Sequence, residues 1–402
     1  MNAVSRSESI MDFDAIRERA SSFAELIVAR RQIIEDTLVE IESYSTIDDE
    51  IQRSTECLRC ICEERDNFIG HVGAVSSFLP LNLPLYSLVL FGLIPHEMTT
   101  NGVYVRSPGI LRDVFSRLAK VLDLESYFPR LKLLEVSRTD FVENYVKHSE
   151  VVIFTGTYKN AIAVKKEIHA DRLFLFNGQG INPIVVAPDA DVELAAEKTL
   201  AMKLFNSGQD CAAADMILIH DAVYDEFRGR LCDKLARIRV GQYRDASVQV
   251  GPLLDRSAII DAGKLFLRHA DRVVLGGTVD FKTGIVTPTV IECQESSYTE
   301  VFSPTFLLKR YKAEADLREY FEHPTYRYHA MYASLFGSSS YLNEQTHTNV
   351  LHGKIVLDVE KGNNPYGGTA VGASFASFNK LVHPRPILVS REVRTFLEAK
   401  YA

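Results

Sequence analysis

The chain has 402 residues and a formal net charge of −8 at pH 7, and 46% of its residues are hydrophobic. These values are typical of a globular protein with more than one packed unit, and they exclude extensive disorder. Binding to a nucleic-acid backbone requires a broad basic surface, which a net negative charge does not favour, so we expect no nucleic acid as a partner.

The N-terminal composition and the cysteines predict a cytoplasmic protein. Residues 1–14 are polar and lack the apolar run of a secretory signal. The most apolar stretch, residues 79–95, is interrupted by Asn82 and Pro84 and is shorter than the roughly 20 residues that cross a bilayer, so no membrane association is expected. The six cysteines are unevenly spaced, which indicates reduced thiols rather than a disulfide framework.

The first half of the chain is predicted to be helical and then α/β. Within residues 11–70, apolar side chains recur at spacings of three and four, as in amphipathic helices. From Gly73 onward, β-rich runs alternate with helical stretches, which predicts a parallel, doubly wound sheet that binds ligands at the carboxyl ends of its strands. The strands are predicted at residues 74–78, 103–106, 131–136 and 151–154, and the helices from Pro84, at 110–122, at 139–147 and after Gly156.

A second α/β unit is predicted from Pro183 onward. A Gly-rich turn at residues 363–368 follows a predicted strand at 354–358, and an extended tail is expected to end the chain. The other strands of this unit are predicted at residues 184–187, 216–220, 272–275, 285–291, 305–311 and 330–336, and its helices at 191–205 and 222–236.

Cys211 is the candidate nucleophile. It ends a turn of small and polar residues between the predicted helix 191–205 and the predicted strand 216–220. A cysteine at such a junction is accessible to substrate, and it attacks as the thiolate, which a helix terminus or a nearby cation favours. A lone cysteine is more often a small buried apolar residue, so its neighbours decide the interpretation.

Seven short motifs follow one another along the chain. Each is weak evidence alone, and their common order is specific. They lie at residues 80–84 (Pro-Leu-Asn-Leu-Pro), 101–106 (Asn-Gly-Val-Tyr-Val-Arg), 154–157 (Phe-Thr-Gly-Thr), 180–183 (Gly-Ile-Asn-Pro, with Asp-Ala-Asp at 189–191), 206–211 (Asn-Ser-Gly-Gln-Asp-Cys), 300–304 (Glu-Val-Phe-Ser-Pro) and 365–368 (Pro-Tyr-Gly-Gly).

In sequence and order these motifs resemble those of the aldehyde dehydrogenase superfamily, over most of the chain. The resemblance implies an α/β fold with a doubly wound Rossmann-type cofactor domain and an α/β catalytic domain. It implies that residues 1–180 form N-terminal helices and the dinucleotide-binding domain, and that residues 181–358 form the catalytic domain with the nucleophile. Residues 359–402 would return to the cofactor and oligomerisation region.

The resemblance also implies roles for three catalytic residues. Cys211 would carry substrate as a covalent thio-adduct. The side-chain amide of Asn82 and the backbone N–H of Cys211 would stabilise negative charge on the carbonyl oxygen; the alternative for Asn82 is a turn residue before Pro84. The general-base glutamate of the family is replaced at the aligned position by Asn177, which cannot take a proton.

NAD or NADP is the implied cofactor, with NADP slightly favoured. An acidic residue of the family is replaced by Gly109 near Arg106, so no carboxylate there repels a 2′-phosphate. A glycine of the family's cofactor turn is replaced by Ala161. The implied cofactor-binding residues, for which an ordinary surface or core role is the alternative, are Pro80, Leu81, Arg106, Ser107, Gly156, Thr157, Glu300 and Phe302.

Three functions remain open. Asparagine stands at the Asn177 position in members of the family that acylate coenzyme A, so the leading hypothesis is NAD(P)-dependent reduction of an activated acyl group, a thioester or acyl phosphate, to an aldehyde. The second is oxidation of an aldehyde to a carboxylic acid with another base. The third is a catalytically degenerate binding or scaffold protein. Asn177, Ala161 and the short N-terminal region favour this hypothesis, and the joint retention of Cys211, Asn82 and Glu300 argues against it.

The partners follow from these hypotheses. We expect a small-molecule or carrier-bound acyl or aldehyde substrate, and a shortened oligomerisation hairpin leaves a homodimer as an open question. No metal is expected: Cys57 and Cys60 have a spacing that could share zinc, but no second Cys or His pair lies nearby and the segment is predicted to be helical. His220 is interpreted as a residue at a strand end.

Overall fold

The structure is a computed structural model, and it describes residues 11–359, 367–384 and 387–401. In these ranges the strands form two seven-stranded sheets and a two-stranded hairpin, which confirms the expected α/β class. The strands are β1 (Val75–Phe78), β2 (Val103–Arg106), β3 (Leu131–Leu133), β4 (Val151–Thr155), β5 (Leu173–Asn177), β6 (Pro183–Val186), β7 (Met216–His220), β8 (Val273–Leu275), β9 (Val279–Asp280), β10 (Ile285–Val286), β11 (Thr289–Cys293), β12 (Thr305–Tyr311), β13 (Tyr332–Phe336), β14 (Asn349–His352), β15 (Ser374–Phe378) and β16 (Leu381–His383).

The helices pack on the sheets and begin at residues whose side chains bond the first turn. Asp12 accepts from the backbone N–H of Ala15 and Ser43 from that of Thr46, as N-caps do. The helices are α1 (Phe13–Ala29), α2 (Arg31–Leu38), α3 (Tyr44–Arg59), α4 (Pro84–Leu88), α5 (Ile94–Glu97), α6 (Arg112–Val121), α7 (Leu124–Tyr127), α8 (Arg138–Asn144), α9 (Tyr158–Lys165), α10 (Val192–Leu204), α11 (Tyr224–Leu235), α12 (Arg256–Arg268), α13 (Glu314–Phe321), α14 (Pro324–His329), α15 (Ser340–Asn343) and α16 (Arg391–Tyr401).

The first sheet has the strand order β16-β15-β5-β4-β1-β2-β3. Strands β1 to β5 run parallel, and β15 and β16 are antiparallel additions at one edge. The chain leaves β1 toward β2 and later returns to its other side as β4. A crevice therefore opens between the carboxyl ends of β1 and β4, the place where such sheets bind ligands.

The second sheet has the order β14-β13-β6-β7-β12-β11-β8, and within it only β8 is antiparallel to its neighbour. Its central strands β6 and β7 are buried along nearly their whole length, as expected for parallel strands with helices on both faces. Strand β7 follows the loop that carries Cys211, so this buried strand fixes one end of that loop.

Three sequence predictions about secondary structure were wrong. The strand predicted at 354–358 is a loop and a short 3-10 helix, Val356–Asp358, because the Asp358 carboxylate accepts from the backbone N–H of Ile355 at 3.0 Å and closes a turn. The strand predicted at 285–291 is interrupted at Thr287 and Pro288, giving β10 and β11. The tail after residue 373 contains two strands and helix α16 rather than an extended segment.

Helix α16 packs into the same core as the N-terminal helices. Its residues Val393, Phe396 and Leu397 join a buried cluster that includes Phe23 of α1 and Ile51 of α3. None of the helices in the described ranges combines the length and apolar character needed to cross a membrane.

Candidate active site

A cavity of about 930 Å³ lies at the carboxyl ends of β1, β4 and β5, against loops of the second sheet. Of the site residues predicted from the sequence, all except Arg106 and Ser107 line it. The lining residues from that prediction are Pro80, Leu81, Asn82, Gly156, Thr157, Asn177, Cys211, Glu300 and Phe302. The fold therefore gathers residues from five of the seven sequence motifs around one space.

The loop before Cys211 has an unusual backbone. Asn206, Ser207 and Gly208 have φ values of 45°, 56° and 78°, in the left-handed region. Two of these residues are not glycine, so the loop is strained and depends on surrounding contacts. A Cβ atom on Gly208 would lie 2.4 Å from the carbonyl of Ser303, so only glycine fits here.

Side-chain hydrogen bonds hold this strained loop. The Ser207 hydroxyl lies 2.6 Å from the hydroxyl of Tyr243 and accepts from the backbone N–H of Gly251 at 3.0 Å. The side-chain oxygen of Gln209 accepts from the backbone N–H of Leu254 at 2.7 Å. The segment 243–254 therefore acts as a support beneath the loop that presents Cys211.

Cys211 itself is partly exposed to the cavity. Its carbonyl oxygen accepts a hydrogen bond of 2.9 Å from the side-chain amide of Asn182. Its thiol bonds the carboxyl of Asp210, which also accepts from the backbone N–H of Ala212 at 2.7 Å. Burial raises the pKa of Asp210, while the Ala212 N–H and the charge of Arg53 oppose that rise.

Asn82 lies in the turn between β1 and α4. Leu83, which follows it, has φ 52° in the left-handed region, and Pro84 begins α4 at the helix position that proline favours. Pro80 and Leu81 precede Asn82 and also line the cavity. The Asn82 side chain is partly exposed to the same space as Cys211.

Asn177 ends strand β5 and is 7% exposed. It lines the cavity, and neither its amide nitrogen nor its amide oxygen finds a hydrogen-bond partner among the described residues. A buried carboxamide without partners costs free energy. Its orientation therefore suits a group that binds in the cavity.

Glu300 and Phe302 line the cavity from the loop before β12. The Gln179 amide donates to Glu300, while the second carboxyl oxygen, Oε1, is buried and has no partner in the described part of the chain. Burial, helped by the charge of Asp215, raises the pKa of Glu300 to about 8. This carboxyl therefore exchanges a proton near neutral pH.

The sequence analysis missed a buried network that joins Cys211 to the Glu300 loop. Lys203 is 0% exposed and donates to the backbone carbonyl of Val301, whose N–H donates to Asp215 at 2.7 Å. Asp215 also accepts from the backbone N–H of Asn182 at 3.0 Å, and Asn182 holds Cys211. A lysine within the buried face of α10 was the only sequence signal of this network.

Burial shifts the titration of both charged groups in this network. It lowers the pKa of Lys203 to about 8, against the opposing charge of Asp215, and it raises the pKa of Asp215 to about 6, against that of Lys203. The two opposite charges stabilise each other inside the protein. They fix the backbone between Glu300 and Phe302 from both sides.

Gly156 and Thr157 form the turn from β4 into α9. Gly156 has φ 134°, which favours glycine, and the Thr157 hydroxyl accepts from the backbone N–H of Asn160 at 3.4 Å as an N-cap. Helix α9 therefore directs its N-terminal end, which favours anions, into the cavity region. Ala161 is fully buried one turn further along this helix.

Arg106 and Ser107 lie at the carboxyl end of β2 and do not line this cavity, although the next residue, Pro108, does. The Arg106 guanidinium donates to the carbonyl of Val136 at 3.1 Å. Burial, and then the charges of Arg138 and Arg112, lower the pKa of Arg106. Three arginines therefore share a region of positive potential beside the cavity.

The remaining predictions concern residues away from this centre. Pro365 and Tyr366 of the seventh motif lie outside the described residues. Cys57 is buried in α3, where burial raises its pKa, and the described residues contain no group of three His, Cys, Asp or Glu that could hold a metal ion. His220 ends β7 and accepts from the backbone N–H of Ala222 at 3.2 Å.

Comparison with known proteins agrees with this geometry. A model of the aldehyde dehydrogenase family matches residues 12–369, and the chain belongs to that family. Succinate-semialdehyde dehydrogenase [NADP(+)] GabD of Escherichia coli is 34% identical over 146 residues, which cover 34% of this chain and 30% of GabD. Lactaldehyde dehydrogenase of Methanococcus maripaludis is 24% identical over 254 residues, covering 60% of this chain and 54% of that protein. The match thus spans about a third to a half of these relatives.

Solved structures show the same fold at lower identity. Glyceraldehyde-3-phosphate dehydrogenase GapN from Methanocaldococcus jannaschii, complexed with NADP, aligns with a TM-score of 0.78 at 19% identity, covering 96% of this chain and 89% of that one. Succinic semialdehyde dehydrogenase from Streptococcus pyogenes, in complex with NADP+, aligns with a TM-score of 0.78 at 15% identity, covering 93% and 90%.

Proposed function

We propose that this protein is an NAD(P)-dependent enzyme that interconverts an aldehyde and an acyl group through a thioacyl intermediate on Cys211. The groups that this chemistry needs line one cavity: the thiol of Cys211, the amide of Asn82 and the carboxyl of Glu300. Their common location supports an enzyme over a degenerate binding or scaffold protein. Asn82 and the backbone N–H of Cys211 would donate to the carbonyl oxygen as it becomes negative.

The described residues fit a nicotinamide dinucleotide. The N-terminal end of α9, after Gly156 and Thr157, suits a pyrophosphate. The buried Oε1 of Glu300 has no partner in the described ranges, so it can accept from a ribose hydroxyl. When bound, the nicotinamide supplies or accepts the hydride. Residues 1–180 would form most of this dinucleotide site, and residues 181–358 would present the nucleophile.

NADP is favoured over NAD by the charges at the end of β2. The charges of Arg112 and Arg138 both act on Arg106, and the acidic residue of the family is replaced by Gly109. A 2′-phosphate placed there would reduce the repulsion among the three guanidinium groups. The two solved structures described above both contain NADP, which agrees with this preference.

The proposed direction of the reaction rests on Asn177. A carboxylate at this position could take a proton from water, but a carboxamide cannot. Thioesters react readily with thiols and slowly with neutral water, so the acyl group on Cys211 would pass to a thiol or phosphate acceptor. In reverse, the Cys211 sulfur bonds the acyl carbon as a thiolate or phosphate leaves. The acyl carbon held on the Cys211 sulfur would then receive the hydride, and the S–C bond would break as the aldehyde forms and the thiolate of Cys211 is regenerated.

The hydrolytic alternative has one specific observation in its favour. The pKa of Glu300 is raised to about 8 by burial, and its unpartnered oxygen lies in the same cavity as Cys211. This carboxylate could replace the missing base and activate water. The protein would then oxidise an aldehyde to a free acid, as the names of its relatives suggest.

Two assays separate the proposed function from the alternative. Purified protein is given an acyl thioester with NADPH, or an aldehyde with NADP+ and no added thiol or phosphate. Short polar aldehydes and their thioesters are the first substrates to test, because the curated relatives are named for a semialdehyde and for lactaldehyde. The proposal expects aldehyde formation in the first assay to exceed acid formation in the second, and the reverse ratio supports the hydrolytic alternative.

A further inference from the structure

Two buried carboxyl groups lie behind the turn that carries Asn82. Glu42 precedes α3 and is 1% exposed, and Glu50 lies within α3 and is 0% exposed. Their side chains hydrogen-bond to each other. Two carboxyl groups cost free energy when they are buried together, and hydrogen bonds to them offset part of that cost.

Glu50 bonds the helix that follows Asn82. Its carboxyl oxygens accept from the backbone N–H groups of Leu85 at 3.3 Å and Tyr86 at 3.5 Å. These donors belong to the first turn of α4, where N–H groups have no partner within the helix. Leu83, between Asn82 and α4, is held in a left-handed conformation, so the turn depends on such outside contacts.

The same helix also contacts the loop that carries the nucleophile. Arg53, one turn after Glu50, forms an ion pair with Asp49, and its guanidinium carbon lies 5.8 Å from the centre of the Phe205 ring. Burial lowers the pKa of Arg53, but the charges of Asp49 and, more weakly, Asp210 raise it overall. Helix α3 therefore meets both the Asn82 turn and the residues beside Cys211.

We propose that Glu50 is a positioning residue for the oxyanion site: its buried carboxyl, braced by Glu42, holds the turn so that the Asn82 amide and the Cys211 N–H meet one carbonyl oxygen. This inference rests on the roles proposed above for Asn82 and Cys211. Glu50 does not line the cavity, so it acts through the backbone of α4 rather than on substrate.

The titration of the pair is consistent with this role. Burial raises the pKa of Glu50 to about 8, although hydrogen bonds from Glu42 and from the N–H groups of Leu85 and Tyr86 lower it. Burial, and then the charge of Glu50, raise the pKa of Glu42 well above its ordinary value. The environment therefore favours the protonated form of Glu42, in which its hydroxyl can donate to Glu50.

A double-mutant cycle tests the proposal by acylation of Cys211 with p-nitrophenyl acetate. The thiolate bonds the acetyl carbon, the ester C–O bond breaks, and p-nitrophenolate is released as a burst without any cofactor. Asn82→Ala should slow this burst roughly 10²–10³-fold. Glu50→Gln should slow it roughly 10- to 100-fold in the natural sequence, because the donor is misplaced, but less than about 2-fold in the Asn82→Ala background.

Two further variants keep the test decisive. Glu42→Leu leaves Glu50 in place but removes its brace, and it should show the same dependence on Asn82, which covers the case in which Glu50→Gln does not fold. The control is Glu97→Gln, which removes a buried carboxyl paired with Arg19 outside this turn, and it should leave the burst rate unchanged.

The possible results have different consequences for Glu50, for Asn82 and for Cys211. Equal slowing by Glu50→Gln with and without Asn82, or no slowing by either Glu50→Gln or Glu42→Leu, would overturn the positioning role. A wild-type protein that acquires no acetyl group on Cys211 would overturn the proposed function, and this inference with it. If the wild type is acylated at Cys211 but Asn82→Ala does not slow the burst, the oxyanion role of Asn82 and the positioning role of Glu50 are both overturned, while Cys211 stays the nucleophile.

Discussion

The side-chain amide of Asn182 donates to the carbonyl oxygen of Cys211 at 2.9 Å, while the backbone N–H of Asn182 donates to Asp215. The carbonyl of Cys211 is therefore held by Asn182, just before β6, and Asn182 is in turn held by Asp215, just before β7. Neither contact involves the Cys211 sulfur. Because Asp215 also accepts from the N–H of Val301, the same network fixes the loop with Glu300. Changes at the sulfur should leave this framework intact.

We expect Cys211→Ala to abolish turnover while leaving the midpoint of thermal unfolding and the Kd for NADPH nearly unchanged. Under the proposed function, the thiol would form the covalent bond to substrate, whereas other residues would hold the dinucleotide. The matched control is Cys232→Ala, a partly exposed cysteine of α11, which should keep full activity. Turnover by the Cys211 variant above about a tenth of the wild-type rate would identify another nucleophile.

The sequence predicted most of the fold, and nine of the eleven predicted site residues line the cavity, because both results depend on local patterns. The alternation of β-rich and helical runs predicted strands β1, β2 and β4, and the motifs predicted Cys211 and Asn82 as site residues. Strand β5 was not predicted, although its five residues, Leu173–Asn177, are all buried and pair with β4. A fully apolar run of that length does not by itself distinguish a strand from a buried helix segment.

The rest of the site depends on contacts between distant residues. Lys203, Asp215 and Val301 meet only after both the α10 and β12 segments have folded onto β7. Glu50 reaches Leu85 across 35 positions of sequence. Neither contact follows a local period, so a single sequence carries no pattern that identifies either one. Helix α16 was missed for a related reason, since its packing against the N-terminal core stabilises it.

The arginines near the end of β2 predict how the two cofactors compare. NADPH should bind at least as tightly as NADH. Arg138→Ala should weaken the binding of NADPH by about 10-fold, as expected for the loss of one charge-assisted hydrogen bond, and should leave the affinity for NADH unchanged. Fluorescence titration measures both affinities. Arg117→Ala is the control, because Arg117 lies on α6 but pairs with Glu40 at 2.6 Å. A strong preference of the wild type for NADH would show that these arginines do not meet a 2′-phosphate.

The buried Glu50 predicts how stability depends on pH. Its folded pKa of about 8 lies above the ordinary value of 4.5, so the folded state holds a proton that the unfolded state loses. That contribution is fully present below pH 4.5 and is lost as the pH rises through 8, with a slope of at most about 1.4 kcal/mol per pH unit. Glu50→Gln should therefore show a smaller decline of unfolding free energy between these pH values than the wild type.

Urea unfolding at several pH values measures this slope. Glu97→Gln serves as the control with the opposite sign: burial raises the pKa of Glu97, but hydrogen bonds from His96 and Arg19 lower it overall. The stability that Glu97 contributes is lost as the pH falls, so its removal should leave the decline toward pH 8 in place. An unchanged slope in Glu50→Gln would show that this carboxyl titrates normally.

The fate of the acyl group on Cys211 tests the role proposed for Asn177. Asn177 cannot activate water, so replacing it by glutamate should restore a base at the end of β5 and raise hydrolysis relative to transfer. Asn177→Gln is the control, since it adds the same length without a titratable group. Both variants must retain acylation of Cys211 and binding of NADPH for the comparison to be valid.

The most direct measurement is the partition of one preformed acyl-enzyme between a thiol and water. Cys211 is acylated, excess reagent is removed, and the free acid and the thioester formed in the presence of a small thiol are quantified by mass spectrometry. We predict that the wild type and Asn177→Gln yield mainly thioester, and that Asn177→Glu shifts the product toward free acid. Rapid release of free acid by the wild type without any thiol would contradict the account and identify a hydrolytic aldehyde dehydrogenase.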